Sequence, residues 1–103
     1  MAYSTALDVL ADPTRRAVFE TLRQGPRSVG EIAAGLPVTR PAVSQHLKAL
    51  KQAGLVQAEA RGTARIYRIH AEGLSELRAW IDSFWDEALT RFKQHAEGEN
   101  ERG

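Results

Sequence analysis

Arg40, Ser44, Gln45, Lys48 and Lys51 hold the chemistry most worth following in this chain. Together they offer a guanidinium, a short hydroxyl, a carboxamide and two ammonium groups, and they lie in one stretch, TRPAVSQHLKALKQAGL, at residues 39–55 with no acid among them. A carboxamide can pair in two places with adenine, a guanidinium can reach guanine or phosphate, and ammonium groups neutralise phosphate. The set reads as nucleic-acid recognition. The plainer alternative is a lysine-bearing surface helix, and the neighbouring segments decide between the two.

Other chemistry has little support. The chain has no cysteine, which excludes disulfides, thiolate metal ligands and a cysteine nucleophile. His46, His70 and His95 fall in three different expected elements, and no glycine loop is spaced to cradle a nucleotide phosphate. Asp82, Asp86 and Glu87 could imitate a paired-carboxylate site, but Arg78 stands four residues before Asp82, so a solvated charged face is the better reading. The expectation is that the protein is no enzyme and needs no cofactor.

The reading set needs a helix to present it. Thr39 can cap that helix, Pro41 suits its first turn, and Val43, Leu47 and Leu50 repeat at a helical period to form an apolar footing before Gly54 stops it. Upstream, Ser28 and Glu31 form a capping box ahead of Ile32, Ala33 and Ala34. Two short helices joined by a three- or four-residue turn make a helix-turn-helix, and the small residues Gly30, Ala33 and Ala34 suit closely crossing helices.

Further upstream, a short helix over residues 5–11 carries Leu7 and Leu10. Asp12 and Pro13 then start a helix bearing Val18, Phe19 and Leu22, which ends at Gly25-Pro26; residues 1–4 are expected to be loose. Arg15 and Arg16 lie near the N-terminus of that second helix, the wrong end for its dipole. This local conflict points either to a partner or to plain solvent exposure.

Downstream, residues 55–61 and 64–69 are strand candidates around Gly62-Thr63, with Arg61 and Arg65 near the tip. A basic hairpin directly after a recognition helix can act as a wing, able to lay arginine against phosphate or into a minor groove; the alternative is a plain surface hairpin. From Ala71 to about Ala96 the period is helical again. Leu74, Leu77, Ile81, Phe84, Ala88 and Phe92 make a stripe, widened by Trp80, Trp85 and Leu89. That face is wider than so small a core can cover. Together with Leu7 and Leu10 it is expected to form a subunit interface; the alternative is that the helix folds back over its own domain. Residues 1–96 are read as one domain and 97–103, which lack any apolar residue, as a disordered tail.

Charge is distributed in keeping with this. The chain of 103 residues has a formal net charge of only +1, yet residues 25–70 carry a balance of +5 and residues 71–103 one of −4. Such a chain meets a polyanion with one face. No apolar run is long enough for a membrane span and the N-terminus lacks the pattern of a secretory signal, so a cytoplasmic location is expected.

The segments ALDVLADPTRRAVFETL at 6–22, SVGEIA at 28–33, RPAVSQHLKALKQAGLV at 40–56 and RGTARIYRI at 61–69 resemble the ArsR family of bacterial winged-helix repressors. The resemblance implies a mainly α fold with a small β-hairpin wing, a winged helix-turn-helix. It also implies a homodimer joined through its first and last helices, and repression by occupation of an inverted-repeat operator in double-stranded DNA. Thr39, Arg40, Pro41, Ser44, Gln45, Lys48 and Lys51 are then the expected DNA-facing helix residues, and Arg61, Gly62, Thr63 and Arg65 those of the wing. Leu7, Leu10, Leu77, Ile81, Phe84, Trp85, Ala88 and Phe92 are the expected dimer interface.

Many members of that family release DNA on binding a metal. Here the helix at 28–34 has no cysteine pair and residues 71–96 lack the spaced histidine and acid set, while WIDSFW at 80–85 looks like the metal-independent, often self-regulating members. A repressor that does not respond to metal is expected. The alternatives are a metal-responsive repressor with an unrecognised site and a protein-interaction module using the aromatic last helix.

Overall fold

Three helices start at a residue whose side-chain oxygen accepts from a free backbone N–H. Asp12 accepts from Arg15 N, Ser28 from Glu31 N and Thr39 from Ala42 N, at 2.9, 3.2 and 3.2 Å. In the computed structural model, which describes residues 2–102 and the side chains of residues 4–98, these caps open α2 (Pro13–Glu20), α3 (Val29–Ala34) and α4 (Arg40–Gln52). The capping box at Ser28 is complete, since the Glu31 carboxylate accepts in return from Ser28 N at 3.0 Å.

The first helix, α1, spans Ala2–Leu10 and so begins ahead of the Thr5 start expected from sequence. Ala6 is buried against the core, and a helix anchored there extends by one hydrogen bond per residue at little cost. Met1 lies outside the described residues. After α2 a 3₁₀ turn (Thr21–Gln24) carries buried Leu22, and Gly25 at φ +137° ends it.

Helices α3 and α4 are joined by residues 35–39, slightly more than the expected three or four, because Thr39 stays outside α4 as its cap. At its far end α4 closes with Gly54 at φ +77°, Gly54 N donating to Lys51 O and Leu55 N to Leu50 O, both at 3.0 Å. This left-handed glycine terminus satisfies two orphan carbonyls and turns Leu55 into the core.

Strands β2 (Val56–Arg61) and β3 (Ala64–Ile69) pair antiparallel from Val56 opposite Ile69 to Arg61 opposite Ala64, leaving Gly62-Thr63 as a two-residue turn with Gly62 at φ +64°. A third strand, absent from the sequence expectation, joins the hairpin. Residues Arg27–Ser28, β1, pair with Tyr67 and Ile66, so the hairpin becomes a sheet of order β1-β3-β2. Two residues are too short for any alternating pattern, and only the partner strand defines them.

Beneath α4 lies the core. Val18, Val43, Leu47, Leu50 and Leu55 are fully buried, with Leu22, Ile32, Val56 and Tyr67 beside them. Each such aliphatic contributes about 1.5–3 kcal/mol by leaving water. The apolar stripe of α4 is therefore what holds its outer face in place.

The last helix, α5, runs Ala71–Arg102. It continues beyond Ala96, so residues 97–102, expected as a disordered tail, are helical; Gly103 lies outside the described residues. Lack of apolar residues removes a reason for burial but not the hydrogen bonds along an exposed helix. The helix packs chiefly on α1 and projects from the body, giving overall extents of 69 × 25 × 22 Å. It does not fold back over its own domain. Among the described residues no helix is long and apolar enough to cross a membrane.

Candidate nucleic-acid interface

The buried footing of α4 leaves Arg40, Pro41, Ser44, Gln45, Lys48 and Lys51 exposed. Pro41, Ser44, Gln45 and Lys48 line one shallow recess, a continuous surface with a hydroxyl, an amide and a cation directed outward. Thr39 is exposed too, but its hydroxyl already accepts from Ala42 N, so it serves the cap. Arg61, Gly62, Thr63 and Arg65 are exposed at the wing turn, where Gly62 supplies the left-handed backbone.

Among the described residues, the cations of α4 and the hairpin fall into two groups. Arg68 is committed on the outer sheet face, bonding Glu59 at 3.2 Å and Gln57 at 3.3 Å. Arg40, Lys48, Lys51, Arg61 and Arg65 have no carboxylate partner there. Cations left without internal partners are the ones available to phosphate. Arg15 and Arg16 belong to neither group. Arg15 Nη1 donates to Val9 O at 3.3 Å and Arg16 Nη1 to Leu10 O at 3.0 Å. Their misplacement on α2 is resolved because they serve the carbonyl end of α1, where a cation is favoured.

One further groove joins three elements. Arg40 from α4 and Thr63 and Arg65 from the wing line it together with Ser28 and Gly30 at the start of α3. Ser28 and Gly30 were not in the expected DNA-facing set. The sequence signal was present in Gly30, a helical residue less favourable than alanine by about 1 kcal/mol. It reads as an allowance for crossing helices, but a Cβ there would instead meet the guanidinium of Arg40.

Two carboxylates are held below their usual range, both by capping. The backbone N–H of Arg15 is the main cause at Asp12, and the backbone N–H of Ser28, followed by its hydroxyl, is the cause at Glu31. Neither faces the recess. Asp82 pairs with Arg78 at 3.7 Å on an exposed helix surface, as a solvated charged face would. His70 Nδ1 lies 3.2 Å from Gly54 O, while His46 sits on α4, so these two histidines do not converge. Among the described residues no three histidine or acidic groups gather to hold a metal ion.

The residues expected at a subunit interface divide by exposure. Leu10 and Leu77 are partly buried, Leu10 against the chain's own core. Leu7 and Ala88 are exposed, and Ile81, Phe84, Trp85 and Phe92 are 51, 56, 65 and 72% exposed. Trp80 meets Phe84 edge-on at 5.0 Å between ring centroids. An apolar row of this length on one helix marks an interaction surface.

Comparison with known proteins agrees with this geometry. A family model described as a helix-turn-helix domain matches residues 10–57. The chain is 51% identical over 96 residues to the HTH-type transcriptional regulator Rv2034 of Mycobacterium tuberculosis, covering 93% of this chain and 90% of that one. It is 31% identical over 75 residues to the transcriptional repressor SdpR of Bacillus subtilis, covering 73% of this chain and 83% of that one. The homodimeric winged helix-turn-helix DNA-binding domain of Mb0332 from Mycobacterium bovis, a possible ArsR-family regulator, superposes with a TM-score of 0.67 at 34% identity, covering 85% of this chain and 82% of that domain.

Proposed function

The chain belongs to the ArsR family of winged helix-turn-helix transcriptional regulators, and from that premise we propose that it is a homodimeric, sequence-specific repressor acting on double-stranded DNA in the cytoplasm. The observation that carries the reading is the two-sidedness of α4. Val43, Leu47 and Leu50 are fully buried while Ser44, Gln45 and Lys48 stand exposed on one recess beside a basic wing. Such a helix can enter a major groove without disturbing its own core. Ser44 and Gln45 read base edges, and Lys48, Lys51, Arg61 and Arg65 meet the backbone or a narrow minor groove.

Homodimerisation is supported by the exposed row Ile81, Phe84, Trp85 and Phe92 on α5, with Leu7 of α1 beside it. It is supported also by the homodimeric state of the Mycobacterium bovis domain. Two-fold pairing through α5 presents two copies of α4 to an inverted-repeat operator, with half-sites about 34–36 Å apart or a larger spacing set by the interface. Repression is the role of the Bacillus subtilis relative. DNA release needs no transition metal in this reading, because the chain has no thiolate and its histidines are scattered, whereas a high-affinity site needs several convergent thiolates, imidazoles or carboxylates.

Selection from a randomised duplex pool at low salt tests the proposal. A recurring palindromic motif is expected, with log K falling linearly as log salt rises; absence of any enriched sequence would refute it. Metal-free protein is expected to bind the selected duplex. Stoichiometric zinc, cadmium or arsenite binding that changed affinity by more than about tenfold, roughly 1.4 kcal/mol of coupling, would overturn metal independence.

A further inference from the structure

We propose that the groove joining the start of α3, the first turn of α4 and the wing turn is the seat of one DNA-backbone phosphate, held by Arg40 and Arg65, with Gly30 positioning Arg40. The proposal rests on the DNA-binding reading above and assigns within it a role that the residue types leave open, since an arginine at position 40 is equally able to read guanine.

The geometry favours phosphate. A Cβ on Gly30 would lie 2.9 Å from Arg40 Nη2 and 3.2 Å from Cζ, so the guanidinium rests against the bare α-carbon of Gly30. Arg40 is thereby turned from the row of Ser44, Gln45 and Lys48 toward the wing, into a groove it shares with Arg65. No acid lines that groove, and neither arginine has a carboxylate partner among the described residues. Glu31, the nearest acid in sequence, is turned onto Ser28 N at 3.0 Å. Two guanidinium groups on one acid-free groove, lined also by Ser28 and Thr63, match the two non-bridging oxygens of a backbone phosphodiester by sign of charge and by fork geometry.

The location fits the same ligand. With α4 in a major groove and the wing reaching the adjoining minor groove, the strand that separates the two grooves has to pass between them. Glycine at position 30 then has a function in recognition: a Cβ there would oblige the guanidinium to shift.

The test uses the duplex selected with wild-type protein, its affinity measured across salt concentrations for wild type, Arg40→Ala, Arg40→Lys and Gly30→Ala, with each phosphate of a half-site replaced in turn by neutral methylphosphonate. Arg40→Ala is expected to reduce the salt slope by up to about 0.9 per half-site and leave the selected motif unchanged. One methylphosphonate position per half-site should weaken wild type and weaken Arg40→Ala by less, since only Arg65 then remains on that phosphate. Arg40→Lys should keep the slope but bind more weakly, because a point charge lacks the fork. Gly30→Ala, checked for an unchanged melting curve, should weaken binding with the motif intact. Loss of preference at one base pair in Arg40→Ala, or an unchanged slope, would overturn the phosphate assignment while leaving DNA binding standing. If wild type enriched no duplex at all, the DNA-binding reading itself would fall.

Discussion

Gln45 and Lys48 stand nearly one turn apart on the exposed face of α4 and differ in what they can distinguish. A carboxamide pairs with a particular base edge, whereas an ammonium is drawn to any phosphate. Gln45→Ala is therefore expected to change the motif recovered by selection, losing on the order of 1–3 kcal/mol of discrimination at one base pair. Lys48→Ala should weaken good and poor sites alike, and an unchanged motif for the Gln45 variant would show the assignment to be wrong. Asp12 and Glu31 give a second expectation at this scale. Their caps hold both carboxylates below the ordinary values of 3.8 and 4.5 in the folded chain. The folded state then binds protons less readily than the unfolded state, so the stabilisation is complete above those values and is lost as pH falls through the lower folded ones. The melting temperature should decline from about pH 4.5 downward, and less steeply in the pair Asp12→Asn and Glu31→Gln.

Among elements, the junction of α4 with α5 joins the helix proposed to read DNA to the helix proposed to pair subunits. Gly54 ends α4, its carbonyl oxygen lies 3.2 Å from His70 Nδ1, and His70 N donates to Leu55 O at 2.9 Å. One turn into α5, a Cβ on Gly73 would overlap that same Gly54 carbonyl. Helix α5 is thus rooted at backbone contact on the end of α4, and backbone cannot swing aside as a side chain can. Gly73→Ala is expected to cost on the order of 1–3 kcal/mol by overpacking, seen as a lower melting temperature. Dimers should still form in sedimentation, while affinity for the selected duplex falls because the two reading helices are displaced relative to each other. A variant that melts and binds like wild type would mean the junction yields freely.

For the whole molecule, the consequence of leaving the aromatic row of α5 outside the core is that one chain is apolar where it should be wet. Ile81 and Phe84 are each more than half exposed and neither packs on the chain's own buried core. Ile81→Glu and Phe84→Glu should therefore leave the helical content and melting of the domain nearly intact. Both should shift sedimentation toward monomer and reduce operator affinity together, since half-sites held by separate monomers lose their effective concentration. A wild-type protein that is monomeric at working concentration would rule out this interface.

How much of this was legible beforehand depends on distance along the chain. The caps at Asp12, Ser28 and Thr39, the stripe Val43, Leu47 and Leu50, the stop at Gly54 and the turn at Gly62-Thr63 each depend on residues a few positions apart. Local hydrogen bonds and periodicity therefore made them readable, and with them the reading helix and the wing. What required the tertiary structure joins distant backbone or side chains. Strand β1 exists only because Arg27 and Ser28 meet Tyr67 and Ile66, and Arg15 and Arg16 make sense only against the end of α1. In sequence Gly30 resembles any small helical residue, yet the Arg40 guanidinium lies against it, and a Cβ on Gly73, to which no sequence pattern assigns a role, would overlap the Gly54 carbonyl. A glycine records that something comes close, but which atom does so is decided by packing between elements, and no local pattern encodes that.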